Sequence, residues 1–196
     1  MKHRISLTAA ALATLFVPGT AMAHVGAGST ASFIAGFGHP YGGLDHIAVM
    51  IAVGLWAALK GGRALWLWPC VFVGVMLAGG LLGMAHVPVP FVEPAILASV
   101  VVLGLLVALA ADLPVWLGAA IVGVFAVFHG HAHGSEVAET VGGIEYMAGF
   151  ALATASLHAV GLGVALTLSS ARLRPLVQLA GAGCMLLGVA LAFELV

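Results

Sequence analysis

Apolar residues run through this chain in long blocks, broken at short intervals by clusters of glycine, proline and charge. After an apolar stretch at the N-terminus, six blocks follow, over 29–59, 64–86, 93–111, 114–131, 141–168 and 175–195. Most are separated by clear punctuation: Lys60-Gly61-Gly62-Arg63, Val87-Pro88-Val89-Pro90, Asp112-Leu113-Pro114 and Arg172-Leu173-Arg174-Pro175. None alternates apolar with polar at period two, and their lengths suit helices crossing a hydrocarbon layer of about 30 Å. Backbone groups in lipid must find partners within their own segment, so helical spans are predicted. The first and fifth blocks are longer than a span needs, which predicts tilt, a break or an extension beyond the bilayer. The expected fold class is all-α: a polytopic membrane helix bundle with six transmembrane helices.

Composition agrees. Of the 196 residues, 63% are hydrophobic and 7% charged, against about a quarter charged in a soluble domain. A net charge of −1 gives no reason to expect a nucleic-acid partner. The lipid bilayer is the first partner implied. Cys70 and Cys184 lie within apolar runs, where they read as small core residues rather than a disulfide framework. Small residues, as in Gly79-Gly80-Leu81-Leu82-Gly83 and Gly181-Ala182-Gly183, allow helices to approach closely in lipid. No phosphate-cradling glycine loop followed by Lys-Ser/Thr is present, so any transport draws on an ion gradient, the membrane potential or a partner.

The N-terminus reads as a secretory signal. Lys2, His3 and Arg4 form a basic region, 5–17 an apolar one, Pro18-Gly19 breaks it, and Ala21-Met22-Ala23 fits the small-x-small cleavage rule. A signal peptide over 1–23 and a single membrane-embedded domain over 24–196 are expected. Cleavage would leave His24 first, its α-amine and imidazole able to chelate a metal together. The alternative is an uncleaved anchor helix, but the apolar run is short for a span of about 20 residues. A cleaved signal puts the mature N-terminus outside, so the first, third and fifth loops between spans face the cytoplasm. These loops hold Lys60, Arg63, Arg172 and Arg174, every Lys or Arg of the mature chain, as the positive-inside rule requires. The expected location is a bacterial inner membrane, with both mature termini periplasmic.

Against this apolar background, Phe128-His129-Gly130-His131-Ala132-His133-Gly134-Ser135-Glu136 is conspicuous. On a helix His129, His133 and Glu136 share one face, while His131 lies about 200° from His129 and must serve something else. A second group, His39-Pro40-Tyr41-Gly42-Gly43-Leu44-Asp45-His46, occupies the first block. His39 and His46 fall two turns apart on nearly one face. Asp45 points about 100° away from His46 in an ideal helix, so it ligates only if the chain unwinds, or else fixes a histidine tautomer. Pro40, Gly42 and Gly43 favour such a break. Topology puts both groups on the outer side. Imidazole and carboxylate together suit a borderline divalent metal, and ionisable residues at membrane level are costly and usually functional. The competing readings are an incidental His-rich loop and a buried Asp-His pair that only locks two helices.

The segments His39-Pro40-x-x-Gly43-x-Asp45-His46 and 128–136 closely resemble the two signature motifs of the HupE/UreJ family of nickel permeases. The resemblance extends through Val49-Met50, Gly54-Leu55-Trp56, Val92-Glu93 and the run from Gly149-Phe150 to His158, covering essentially the whole mature chain. It implies a secondary permease for Ni²⁺ or Co²⁺, often serving hydrogenase or urease maturation, and it implies His39, Asp45, His46, His129, His133 and Glu136 as metal-handling residues. His24, His131, His158 and Glu145 form a second tier. His158 is either a core histidine bonded to a neighbouring helix or a later site on the path, and Glu145 either an entrance carboxylate or a residue facing headgroups. His86 reads as interfacial, and Glu93 as a charge suited to a helix N-terminus. Trp56, Trp66 and Trp68 read as interfacial anchors near the cytoplasmic helix ends.

Three functions compete. The first is metal transport; the second is a non-transporting membrane accessory protein for hydrogenase or urease maturation. The third is a haem-binding electron carrier, disfavoured by the acidic content of both motifs. No enzymatic activity and no prosthetic group are expected; the metal is cargo.

Overall fold

The computed structural model describes residues 32–137, 141–170 and 172–194; the expected signal peptide and His24 lie outside them. Every regular element among the described residues is helical. A short α1 (Phe33–Gly38) leads through a 3-10 turn (His39–Tyr41) into α2 (Leu44–Lys60). There follow α3 (Ala64–Met84), α4 (Val92–Ala108), α5 (Val115–Ser135), α6 (Val141–Ser170) and α7 (Arg174–Ala192).

The first block is the one that breaks, by 83° between the α1 side and α2. Ser32 starts α1, its Oγ accepting from the Ala35 amide at 3.2 Å. Pro40 then withholds an amide from the ladder, and Gly43 turns to extended backbone, φ −115°, before α2 begins. The bareness of Gly43 also makes room: a Cβ there would lie 2.6 Å from Asp45 Oδ1 and 3.0 Å from His46 Nδ1. The fifth block, by contrast, is one continuous 30-residue helix, α6.

α3, α5, α6 and α7 are long and apolar enough to cross a membrane, and the bent α1–α2 pair is a fifth if counted as one span. The apolar α4 has 17 residues. Leu81, Trp116, Val124, Leu152, Leu179 and Leu186 are exposed on the outside of the bundle, where lipid, as apolar as they are, is the natural solvent. The chain is a multi-pass membrane protein.

Glycines set how the helices meet. α3 and α5 pack backbone to backbone: a Cβ on Gly79 would strike Val127, one on Gly83 the His131 carbonyl, and one on Gly130 or Gly134 the backbone of Met76 or Gly80. The register ascends on both helices, so they run in the same direction. α4 and α7 run oppositely, with Gly104 against Met185 and Gly188 against Val100 and Val101. α2 meets α6 where Gly54 faces His158 and Gly161 faces Ile51. Gly183, read with Gly181 as a packing residue, has open space around it, whereas Gly181 meets Val107 and Ala108.

Two further sequence readings are corrected. Trp56 and Trp68 are fully buried, not interfacial: their rings meet at a tilt of 38° with centroids 4.2 Å apart, and their indole N–H groups donate to the Ala111 and Val115 carbonyls, both at 2.9 Å. They tie the α4–α5 connection to the bundle, while Trp66 is the one of the three that points outward, 59% exposed. Cys70 is exposed on the outside of α3 rather than in the core. Its apolar flanks mark a lipid-facing helix surface as readily as a buried one, which is why sequence alone misplaces it.

One end of the bundle collects the fixed charges. Lys60 closes α2 and is ion-paired with Asp112 in the loop after α4, and Arg174 at the start of α7 acts on the same carboxylate. Asp112 is thereby held below the usual carboxylate range, first by the Lys60 hydrogen bond and then by its charge. His39, His46 and His133 sit at the other end.

Candidate metal centre

The α1–α2 break delivers two imidazoles and the end of α5 a third. His39 lies in the 3-10 turn, His46 in the first turn of α2, and His133 in the last turn of α5. One ring nitrogen from each of the three lies within 4.8 Å of the others. Their rings stand edge to face, His39 and His133 with centroids 4.5 Å apart and His46 and His133 4.6 Å apart. His46 and His133 are buried and His39 partly so.

Tautomers give this meeting its chemistry. Asp45 Oδ1 lies 2.8 Å from His46 Nδ1. A carboxylate only accepts, so Nδ1 carries the proton and the Nε2 lone pair is left facing the site. That Nε2 is in direct contact with His133 Nε2. On the far side of His133, Nδ1 lies 3.8 Å from Glu136 Oε2, too far for a hydrogen bond. With the His46 proton on Nδ1, His133 Nε2 donates to the His46 Nε2 lone pair in this contact, and that shared proton is the one a cation would replace. Asp45 thus orients the His46 ring, next to the break that the sequence suggested.

The remaining predicted residues are less tightly gathered. His129 is fully buried one turn below His133, its ring 5.4 Å from that of His46, but its Nε2 is engaged by Ser99 Oγ at 3.0 Å. Glu136 caps α5 at the rim, 45% exposed. His131, expected to serve something else, does so: its Nε2 donates to the Val87 carbonyl at 2.7 Å and anchors the α3–α4 loop. Glu145 and His86 are exposed, and Glu93 is exposed in the first turn of α4. His158 is fully buried in α6, away from the three-histidine cluster.

Three residues escaped sequence reasoning. Phe150, fully buried on α6, lies against His39, His46 and His133, closest to His133 at 4.6 Å between centroids. Tyr146, one turn earlier, has its ring 5.9 Å from that of His39 and a buried hydroxyl with no hydrogen-bond partner. Ser99 is the third. Its signal was there: a serine inside a purely aliphatic run. Tyr146 and Phe150, at i and i+4, form an aromatic stripe that could be read from α6 alone.

Buried polar atoms almost always find partners, yet His129 Nδ1, His131 Nδ1, His133 Nδ1, Tyr146 Oη and both nitrogens of His158 make no hydrogen bond. All belong to α5 and α6. Leaving such a group unpaired costs about 1–3 kcal/mol. Those of His133 and Tyr146 border the three-histidine cluster, while the two of His158 lie away from it.

The sequence model described as HupE / UreJ protein matches residues 12–191. Protein HupE of Rhizobium leguminosarum bv. viciae is 43% identical over 192 residues, spanning 97% of this chain and 98% of that protein. No solved structure is similar. With a family match over nearly its whole length and a relative of that identity, the chain belongs to the HupE/UreJ family.

Proposed function

We propose that this protein is a secondary permease importing Ni²⁺, or Co²⁺, across the cytoplasmic membrane. The observation that carries the reading is the convergence of His39, His46 and His133 nitrogens within 4.8 Å, with Asp45 fixing the His46 tautomer. In this reading the bent α1–α2 pair and α3 to α7 make six spans after a signal peptide over 1–23. α4 rises about 25 Å, enough to cross with its flanking loops. Alternating spans require α3 and α5 to run together and α4 and α7 to run oppositely, and the glycine registers agree. Lys60, Asp112 and Arg174 gather at the end of α2 opposite His46, which supports an outward-facing metal site.

The ion meets Glu136 at the rim, sheds part of its hydration to the three imidazoles, and passes to His129 one turn deeper. Asp45 and Glu136 together balance its double charge. Three neutral nitrogens with no closed carboxylate cage hold the ion and still release it, as conduction demands. Protonated imidazole cannot ligate, so uptake falls in acid. Supply to hydrogenase or urease maturation proteins is the downstream role that this reading implies.

Radioactive nickel uptake into sealed vesicles carrying the purified protein tests the proposal. The parent accumulates nickel, and His46→Ala and His133→Ala each lose at least tenfold in initial rate. Tight stoichiometric binding without flux would instead establish the accessory role, and parent-like flux in both variants would end the mechanism.

A further inference from the structure

Histidines inside a packed bundle ordinarily spend at least one ring nitrogen on a neighbour. His131 gives one to Val87 and His129 one to Ser99. His158 gives neither: it is 1% exposed, and both Nδ1 and Nε2 lack any partner. A leucine would fill similar space without leaving two buried polar atoms unpaired. A resting-state structural role therefore does not account for an imidazole here.

Its position supplies a reason. The fully buried Phe72 ring lies against His129, with centroids 5.7 Å apart, and against His158 at 5.1 Å. One aromatic side chain thus adjoins both imidazoles. Thr154, one turn above His158 on the same face of α6, is fully buried and donates its hydroxyl to Met76 Sδ at 3.6 Å. Depth follows from helix rise. α6 ends at Ser170, which places His158 about 18 Å from its inner end. Phe72, on α3 starting at Ala64, lies about 12 Å from that helix's inner end. His158 therefore sits near the middle of the bundle, inward of His129, and is the innermost histidine among the described residues.

We propose that His158 is a second, inner coordination station for the transported divalent cation, reached from His129 past the Phe72 ring. This rests on the permease reading. The ion leaves a three-imidazole cluster, is held in passing by His129, and rebinds at His158, whose free nitrogens are satisfied only during transit. Movement between weak sites in series replaces one long step through hydrocarbon with two short ones.

The test compares parent, His158→Leu and His158→Cys protein in sealed vesicles, alongside equilibrium Ni²⁺ binding in detergent. His158→Leu keeps the volume and removes both nitrogens. It is expected to bind Ni²⁺ within twofold of the parent yet to lose at least tenfold in initial uptake rate. His158→Cys offers a softer ligand and is expected to raise the Cd²⁺-to-Ni²⁺ uptake ratio several-fold, a change that a packing role would not produce. Parent-like uptake by His158→Leu, or an unchanged ratio in His158→Cys, overturns the inner station while leaving the permease intact. If His158→Leu does not fold, the ratio measured on His158→Cys decides. A parent that moves no nickel brings down the permease reading itself, a separate and visible outcome.

Discussion

Removing the Asp45 carboxylate separates an orienting group from a ligand. Its Oδ1 accepts from His46 Nδ1 at 2.8 Å, and the side chain is 27% exposed while that of His46 is 10% exposed. In Asp45→Asn the amide has two choices. Its oxygen can still accept from Nδ1–H, without the charge that strengthened the bond. Alternatively its NH₂ can face Nδ1, which forces the proton onto Nε2 and removes the lone pair that faces the site. Either way the metal loses. Partners of this kind typically contribute 10–100-fold to metal affinity, or about 1.4–2.7 kcal/mol. Asp45→Asn should fall near the lower figure and Asp45→Ala near the upper. The assay is competition for Ni²⁺ against a chromophoric chelator at neutral pH in detergent, with thermal unfolding of the metal-free protein as control. Asp45 is the hydrogen-bond partner of the buried His46 Nδ1, so Asp45→Ala should also lower the unfolding midpoint of the metal-free protein, whereas Asp45→Asn, which can keep the bond, should shift it little. Binding by Asp45→Asn within twofold of the parent would refute the tautomer argument. A loss beyond about a thousandfold would refute it from the other side, by making Asp45 a direct ligand.

Other expectations follow from the packing and the loops. Gly130→Ala places a methyl against the Met76 carbonyl and the Gly80 amide, backbone that cannot yield, so it should destabilise by about 1–3 kcal/mol. Gly183→Ala meets nothing and should be neutral or stabilising by up to about 1 kcal/mol; thermal unfolding of the two variants in detergent compares them, and equal midpoints would contradict the close approach of α3 and α5. Trp68→Phe keeps most of the ring but forfeits the bond to Val115, which should cost about 0.5–1.5 kcal/mol and raise protease sensitivity of the α4–α5 loop. For Asp112, Lys60 lowers the folded carboxyl pKa below 3.8, so the stabilisation is complete above that value and is lost as pH falls through the lowered folded pKa. Asp112→Asn should remove this step from the acid limb of a stability-versus-pH curve, and an unchanged curve would show the pair to be inert.

Much of the architecture was legible because it rests on residues with one dominant physical consequence. Lys60, Arg63, Arg172 and Arg174 indicate which loops share a side, and Pro40 with Gly43 foretells the 83° break. Helical periodicity likewise puts His129 and His133 on one face of α5. It is silent about how far each helix is rotated toward its neighbours when all its sides are apolar. That rotation decides that His133 meets His39 and His46 while His129 turns to Ser99. The same silence hid Cys70 on the lipid side and Trp56 and Trp68 in the core, since an apolar flank looks alike in lipid and in protein. The wall of Tyr146 and Phe150 was missed for another reason: aromatic residues in an apolar helix carry no sign of chemistry until a third helix brings imidazoles against them.

The central claim is that imidazoles from the 3-10 turn, α2 and α5 hold one cation together. X-ray absorption on the Ni²⁺-loaded protein tests it most directly, because multiple scattering counts the imidazoles bound to the metal. Three are predicted for the parent and two for His39→Ala, His46→Ala or His133→Ala, whereas a count unchanged by all three substitutions would contradict the account.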